Sequence, residues 1–297
     1  MIFKINIYYW NNQVGVVNDA ILIKSALPEH DVVIYDLSKN NDYRQNDLGI
    51  FTQNFYPHLL EKSKKNIFLV NEEWLGEIEL KHFKDFDYIF TKSEYAKKLL
   101  SSYHNNVINT GFFSLDKYFF PNDDFGGILH FKGKAIQKNH ELCFKYKEKY
   151  NIDILDSEVN YLSDEDLSYR LNNTSIHICC SLYEGWGHYV WEAMSCGKLV
   201  ICSSIPVFME YLDPTLVKFL PTQKIVKHDL DNRFLKETRF PFREGHFVKE
   251  DELINLLNKK EELFEFQKKH KDDIRYYFLE VNRNNKNKFN LLINYII

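Results

Sequence analysis

Glu184 and Glu192 bracket the string Gly185-Trp186-Gly187-His188-Tyr189-Val190-Trp191. The apolar run Ser175–Cys180 before it reads as a buried strand. His188–Cys196 reads as a helix stopped by Gly197. Gly185 and Gly187 keep the backbone clear of side chains where strand turns into helix. The first N–H groups of such a helix have no internal partners, and the positive end of its dipole lies with them. A diphosphate suits that place. Glu192 lies about four residues into the helix, roughly 6 Å along its axis. A carboxylate there can accept two hydrogen bonds from a ribose diol, and Glu184, in the turn, can accept from the hydroxyls of a sugar. A plainer reading competes: acids in the first turns of a helix favour its dipole in any case. His188 is open to phosphate contact or to capping.

The surrounding elements alternate. Strands are expected at Ile2–Trp10, Asp31–Leu37, Leu48–Gln53, Asn66–Val70, Tyr88–Thr91 and Val107–Asn109, and helices at Val16–Leu27, Pro57–Lys65 and Ser93–Ser102. The turn formers from Pro121 to Gly127 mark a boundary. The alternation then restarts, with strands at Ile128–Lys132, Asp153–Leu155, Ser175–Cys180 and Leu199–Ser203 and helices at Asn139–Tyr150, Ser163–Asn172 and His188–Cys196. The stretch Asp213–Gly245 has no clear pattern. Asp251–Lys260 is helical, and Glu262–Ile297 reads as one or two helices broken near Asn282-Arg283-Asn284-Asn285. This is an α/β pattern of two Rossmann-like halves, with ligands expected at the carboxyl ends of the strands.

Ser181–Glu210 contains Glu184-Gly185-Trp186-Gly187, then Glu192-Ala193-Met194-Ser195-Cys196-Gly197, then Val200-Ile201-Cys202-Ser203. It resembles the donor-site signature of retaining glycosyltransferases of the GT-B fold, most nearly glycosyltransferase family four. In that signature Phe stands where this chain has Trp186. The resemblance continues, more weakly, over most of the chain. The run from Leu129 to Asn139 is similar to the family's strand, glycine, basic residue, loop, lysine pattern. It implies that Lys134 and Lys138 bind the donor diphosphate, although Lys134 stands where Arg is common and loses its bidentate contact. Gly15 resembles the family's glycine loop facing the phosphates, with an ordinary βα turn as the alternative. Glu72 and Glu73, in Asn71-Glu72-Glu73-Trp74, are candidates for the acceptor side, weighed against a plain exposed helix start. Glu210 resembles a position near the donor, weighed against a surface carboxylate.

The resemblance implies a GT-B fold whose two parallel sheets face across a cleft. Residues 1–120 would form the acceptor-side domain, 121–280 the nucleotide-sugar-binding domain, and 281–297 a helix crossing back. It implies a metal-independent retaining glycosyltransferase of hexosyltransferase type. Such an enzyme moves a sugar from a nucleoside-diphosphate-sugar to a hydroxyl of a glycan, lipid-linked glycan or protein glycan, with no cofactor beyond that co-substrate. Glu184 and Lys138 would act in catalysis; no general base is named. Two other classes stay open: a GT-B-like nucleotide-sugar epimerase or hydrolase, and a noncatalytic nucleotide-sugar or glycan-binding module. Retention of Glu184, Glu192 and Lys138 argues against the last.

Composition narrows the field. At 44% hydrophobic residues the 297-residue chain can bury large cores. Its formal charge of −4 argues against a nucleic-acid partner. Five cysteines, an odd number without a C-x-x-C pair, fit reduced buried thiols in the cytoplasm. The first residues read as a strand, not a leader. No membrane span is expected, and peripheral attachment is left open. His177, mid-strand, reads as a satisfied core histidine. Asp164-Glu165-Asp166 reads as an ordinary acidic helix start, and no cluster has metal-ligand spacing.

Overall fold

The strand segments bury consecutive residues on both faces, as parallel strands covered by helices must. In β1 (Lys4–Tyr9), Ile5, Asn6, Ile7 and Tyr8 are all fully buried. The computed structural model describes residues 1–11, 15–39, 41–121, 126–133, 136–156, 163–226 and 244–297. Among these, two compact units are found.

The first unit gathers Met1–Leu115 with Asn282–Ile297. After β1 come α1 (Gly15–Ser25), β2 (Asp31–Asp36), β3 (Asn46–Thr52) and α2 (Pro57–Leu60). β4 (Ser63–Leu69), α3 (Glu77–Lys81), β5 (Tyr88–Thr91), α4 (Glu94–Leu100) and β6 (Val107–Asn109) complete the alternation. The six strands form one parallel sheet in the order β2-β1-β3-β4-β5-β6. Its core is aromatic: Tyr8 stacks on Phe51 with centroids 4.5 Å apart, and Phe68 on Phe86 at 5.0 Å. Ser93 caps α4, its hydroxyl accepting from Ala96 N–H. The expected helix over Pro57–Lys65 is cut short at Leu60. Ser63 already pairs with Asn46 and Lys65 with Leu48, while Lys64 reaches Asp47 at 2.7 Å. Pairing with a preformed neighbour here overrides a polar sequence that reads as helix.

The second unit runs from Asp116 to Val281. It holds β7 (Ile128–Lys132), α5 (His140–Tyr150), β8 (Ile152–Asp156), α6 (Asp164–Asn172), β9 (Ile176–Cys179), α7 (His188–Ser195), β10 (Leu199–Ser203), α8 (Pro206–Tyr211) and β11 (Lys218–Leu220). The parallel sheet has the order β11-β10-β9-β7-β8. In the stretch without clear pattern lie β11, β12 (Thr222–Val226) and the start of β13 (Glu244–Val248); β12 and β13 form an antiparallel ribbon. α9 (Glu250–Leu257) follows. Ser163 and Asp166 form the capping box that opens α6. Gly197 ends α7 at φ +68°, and a Cβ there would lie 2.8 Å from the Lys271 carbonyl. All five cysteines are buried and unpaired.

The last element, α10 (Lys260–Ile296), is one continuous helix of 37 residues. The expected break at Asn282–Asn285 is absent. Asparagine is a weak helix former, but these side chains serve the loop after β6. Asn282 accepts from Ser114 N–H at 2.6 Å and donates to its carbonyl at 2.8 Å; Asn285 donates to the Phe112 carbonyl at 2.7 Å. No described helix is long and apolar enough to cross a membrane.

Candidate functional site

The second sheet reverses its winding between β7 and β9: β8 lies beyond β7 on one side, β10 and β11 beyond β9 on the other. In open α/β sheets the crevice at such a reversal, at the carboxyl ends of the strands, takes the ligand. Here those ends lead into Gly133 and Lys138 after β7 and into Ser181–Gly187 after β9. Leu182 N–H donates to the Gln137 carbonyl at 2.7 Å, tying the two loops together. The Lys138 ammonium meets Glu184 Oε1 at 2.5 Å, with the Glu184 side chain only 5% exposed. Ser181 Oγ donates to the same oxygen at 2.6 Å. Its single hydrogen thus committed, Ser181 accepts from the Tyr189 hydroxyl, which burial keeps protonated. The Tyr189 ring lies beneath the Lys138 ammonium, 3.9 Å from centroid to Nζ. The structure therefore brings together Lys138 and Glu184, which the sequence singled out, and adds Ser181 and Tyr189. Nothing in local spacing marks those two; Tyr189 is one helix residue among several aromatics.

The turn into α7 is held by packing. Gly187 has φ +77°, and a Cβ on it would stand 2.6 Å from the Phe208 ring. Trp186 is 2% exposed and stacks on Trp191 at 5.0 Å, edge-on to Tyr211. Its ring belongs to the core, so any contribution to a ligand passes through its backbone. Gly185 is buried beside it, and His188 is the first helical residue. Glu192, half-buried on α7, has its carboxyl pushed up by burial, against the pull of His188, Lys117 and Lys138. Lys117 itself pairs with Asp164 at 2.8 Å, and Tyr118 donates to the same carboxylate at 3.3 Å. The acidic start of α6 thus sits in the electrostatic neighbourhood of Glu192, which sequence spacing does not reveal.

Two histidines steady the loop after β7. His130 bonds the Ile178 carbonyl at 2.9 Å and His140 at 3.0 Å, and His140 bonds the Gly133 carbonyl at 3.0 Å. His177 departs from expectation. It is fully buried, but among the described residues neither ring nitrogen has a hydrogen-bond partner, and it packs edge-on against Phe131 at 4.6 Å and Tyr189 at 5.9 Å. Burial pushes its pKa down to about 3. A depressed histidine pKa gives stability that is whole above the unfolded value near 6.5 and declines as pH falls toward 3. His177→Leu should recover about 1–3 kcal/mol of unpaired polar burial and lose about 0.5–1.5 kcal/mol of ring contact. The expected net gain is about 1 kcal/mol at pH 7 in urea unfolding. The acid-side decline should shrink by the share of His177, leaving that of His130, itself pushed down to about 4 by burial, and of carboxylates held low in the fold such as Asp36 and Asp47. A loss of stability at pH 7 would show that the ring is needed there.

Lys134 lies outside the described residues. Gly15 is the first residue of α1, in the first unit. Glu72 and Glu73 occupy a single 3₁₀ turn after β4 and are 1% and 8% exposed, so the expected exposed helix start is corrected. Lys92, just after β5, makes a buried ion pair with Asp19 of α1 at 2.8 Å and lies 4.1 Å from the Phe112 centroid. Glu210 is exposed on α8.

Residues 131–234, which contain both loops of the Lys138–Glu184 site, match the family model for glycosyl transferases group 1. This stretch resembles the group 1 glycosyl transferases. No curated protein matches the chain by sequence. Solved structures superpose over nearly the whole chain. The sucrose-phosphate synthase of Thermosynechococcus elongatus superposes with a TM-score of 0.66 at 10% identity, over 99% of this chain and 98% of that one. HepE of Anabaena, in complex with UDP-glucose, gives 0.61 at 11% identity, over 95% and 98%. A trehalose-6-phosphate synthase, studied for glycosyl transfer with retention, gives 0.55 at 9% identity, over 93% and 76%. The fold is GT-B, with two Rossmann-like units.

Proposed function

We propose that the chain is a retaining, metal-independent glycosyltransferase that moves a hexose from a nucleoside diphosphate to an acceptor hydroxyl. The observation that carries this is the Lys138–Glu184 pair at the β7/β9 reversal, directly before the start of α7. In this reading the turn Gly185–His188 and the N-terminus of α7 hold the diphosphate, with Lys138 offsetting the charge that builds on it as the sugar leaves. Lys134 would join it, and Gly15 would approach the phosphates. Glu192 takes the ribose diol, whose hydroxyls favour its charged form against burial. Glu184, freed from Lys138, accepts from the sugar hydroxyls. Glu72 and Glu73 belong to the acceptor side, which receives a glycan or glycolipid. The HepE complex makes UDP-glucose the first donor to try, and the trehalose-6-phosphate synthase supports retention.

A thermal-shift panel of nucleotide-sugars tests the donor, since a ligand of the native state raises its midpoint by mass action. Glu192→Ala should weaken the best donor at least tenfold. Unchanged affinity would remove the site assignment. Incubation with donor alone should yield slow hydrolysis at most; a sugar isomer would identify an epimerase instead. Transfer should persist in EDTA, with the anomeric configuration of the donor retained by NMR.

A further inference from the structure

The loop after β7, with Gly133 and Lys138, is backed by three hydrogen bonds in series through two histidines. His130 Nδ1 meets the Ile178 carbonyl at 2.9 Å, His130 Nε2 meets His140 Nδ1 at 3.0 Å, and His140 Nε2 meets the Gly133 carbonyl at 3.0 Å. The protons in this series can be counted. A carbonyl oxygen only accepts, so each end needs an N–H. The middle contact joins two ring nitrogens and needs one more. Two neutral imidazoles bring one N–H each, whereas three contacts at bonding distance require three. One ring is therefore an imidazolium.

Burial decides which ring carries the third proton. His130 is fully buried on β7, and burial pushes its pKa down to about 4. His140 is half-buried, the first residue of α5. His130 thus stays neutral, donating from Nδ1 and accepting at Nε2, and His140 donates from both nitrogens. The charged groups nearby leave room for that cation. Lys138, whose charge reaches His130, is paired with Glu184 at 2.5 Å. Lys132, further along β7, is paired with Asp156 of β8 at 2.7 Å. On β9, His177 is kept neutral by burial. Glu141 follows His140 in the first turn of α5 and offsets the positive end of that helix.

We propose that His130 and His140 form a proton-holding positioning pair, which braces the Gly133 loop and adds one positive charge where the donor diphosphate binds. The role toward the donor rests on the glycosyltransferase reading above. When the third proton leaves, His130 keeps its bond to Ile178. His140, left with one N–H, must give up either His130 or Gly133. An anion on the loop favours the proton, and by linkage the proton favours the anion. Donor affinity is therefore full below the pKa of the free pair and declines as pH rises through that of the bound pair.

The test uses the full chain with isotope-labelled histidine, and UDP-glucose, whose diphosphate is esterified at both ends and does not titrate near neutral pH. By NMR at pH 7, both ring nitrogens of His140 should be protonated, and His130 should have one protonated and one bare nitrogen. UDP-glucose affinity should fall about threefold to tenfold between about pH 6 and pH 9, the size of one added charge at a partly screened site. On that limb, calorimetry in buffers of different ionisation enthalpy should read proton uptake on binding. His140→Gln, whose amide donates to Gly133 without a charge, should flatten the profile and keep most of the thermal midpoint. A role in packing alone would move the midpoint and leave the profile as it is. The inference is overturned if both rings are neutral at pH 7, if affinity does not change with pH, or if His188→Gln flattens the profile and His140→Gln does not. An imidazolium at His140 without UDP-glucose binding would uphold the shared proton and count against the donor reading. UDP-glucose binding with two neutral rings would do the reverse.

Discussion

Lys138→Ala should lower sugar-transfer turnover by about 10²–10³-fold, the usual effect of removing one group that meets developing charge. The same change should destabilise the fold, because it strands the Glu184 carboxylate. Breaking a buried pair by removing one partner costs about 3–5 kcal/mol. Here the lower end applies, since Ser181 still donates to Glu184 and the Lys138 side chain is 18% exposed. The two effects can be separated. Adding Glu184→Gln removes the stranded charge and should restore most of the thermal midpoint without restoring turnover. If Lys138→Ala transfers sugar within threefold of the wild type, the ammonium is only a structural partner of Glu184 and plays no part in the chemistry.

Gly187→Ala should be strongly destabilising. The left-handed backbone at φ +77° costs a non-glycine residue about 1–2 kcal/mol. The added carbon would also stand 2.6 Å from the Phe208 ring. Forcing a carbon into a packed core adds about 1–3 kcal/mol. Urea unfolding should therefore show a loss of roughly 2–5 kcal/mol. In a Phe208→Leu background the steric part is relieved and the penalty should fall toward the backbone cost alone, a coupling that a double-mutant cycle reads directly. Equal penalties in both backgrounds would show that Phe208 does not confine the turn.

These residues also show what sequence can disclose. The turn around Gly187 and the stop at Gly197 were legible because both are local. A glycine between a strand and a helix, or after a helix, answers to a backbone angle set within a few residues. The caps at Ser163 and Ser93 were legible for the same reason. What escaped notice depends on distant partners. Asn282 and Asn285 read as a helix break until the loop at Phe112–Ser114 supplies their hydrogen bonds. Lys64 and Lys65 read as helix until β3 offers a strand to pair with. His177 read as satisfied because most buried polar groups are, and only its surroundings reveal Phe131 and Tyr189 in place of acceptors. In the site, Glu184 and Lys138 stood out by motif. Ser181 and Tyr189, which set the carboxylate and underlie the ammonium, did not, because their roles exist only once two loops are side by side.

The split membership of α10 has a consequence for biosynthesis. Phe289, on the part of the helix that belongs to the first unit, packs edge-on against Phe90 and Phe113, both at 5.9 Å. It leaves the ribosome about 175 residues after Phe113; at roughly 5–20 residues per second that is a delay of about 10–35 s. During that interval the nascent first unit has its six strands but lacks the side chains that cover Phe90 and Phe113. Domains usually fold in the order they are made. Here the unit synthesised first must wait, its apolar surface open to chaperones, until the second has emerged.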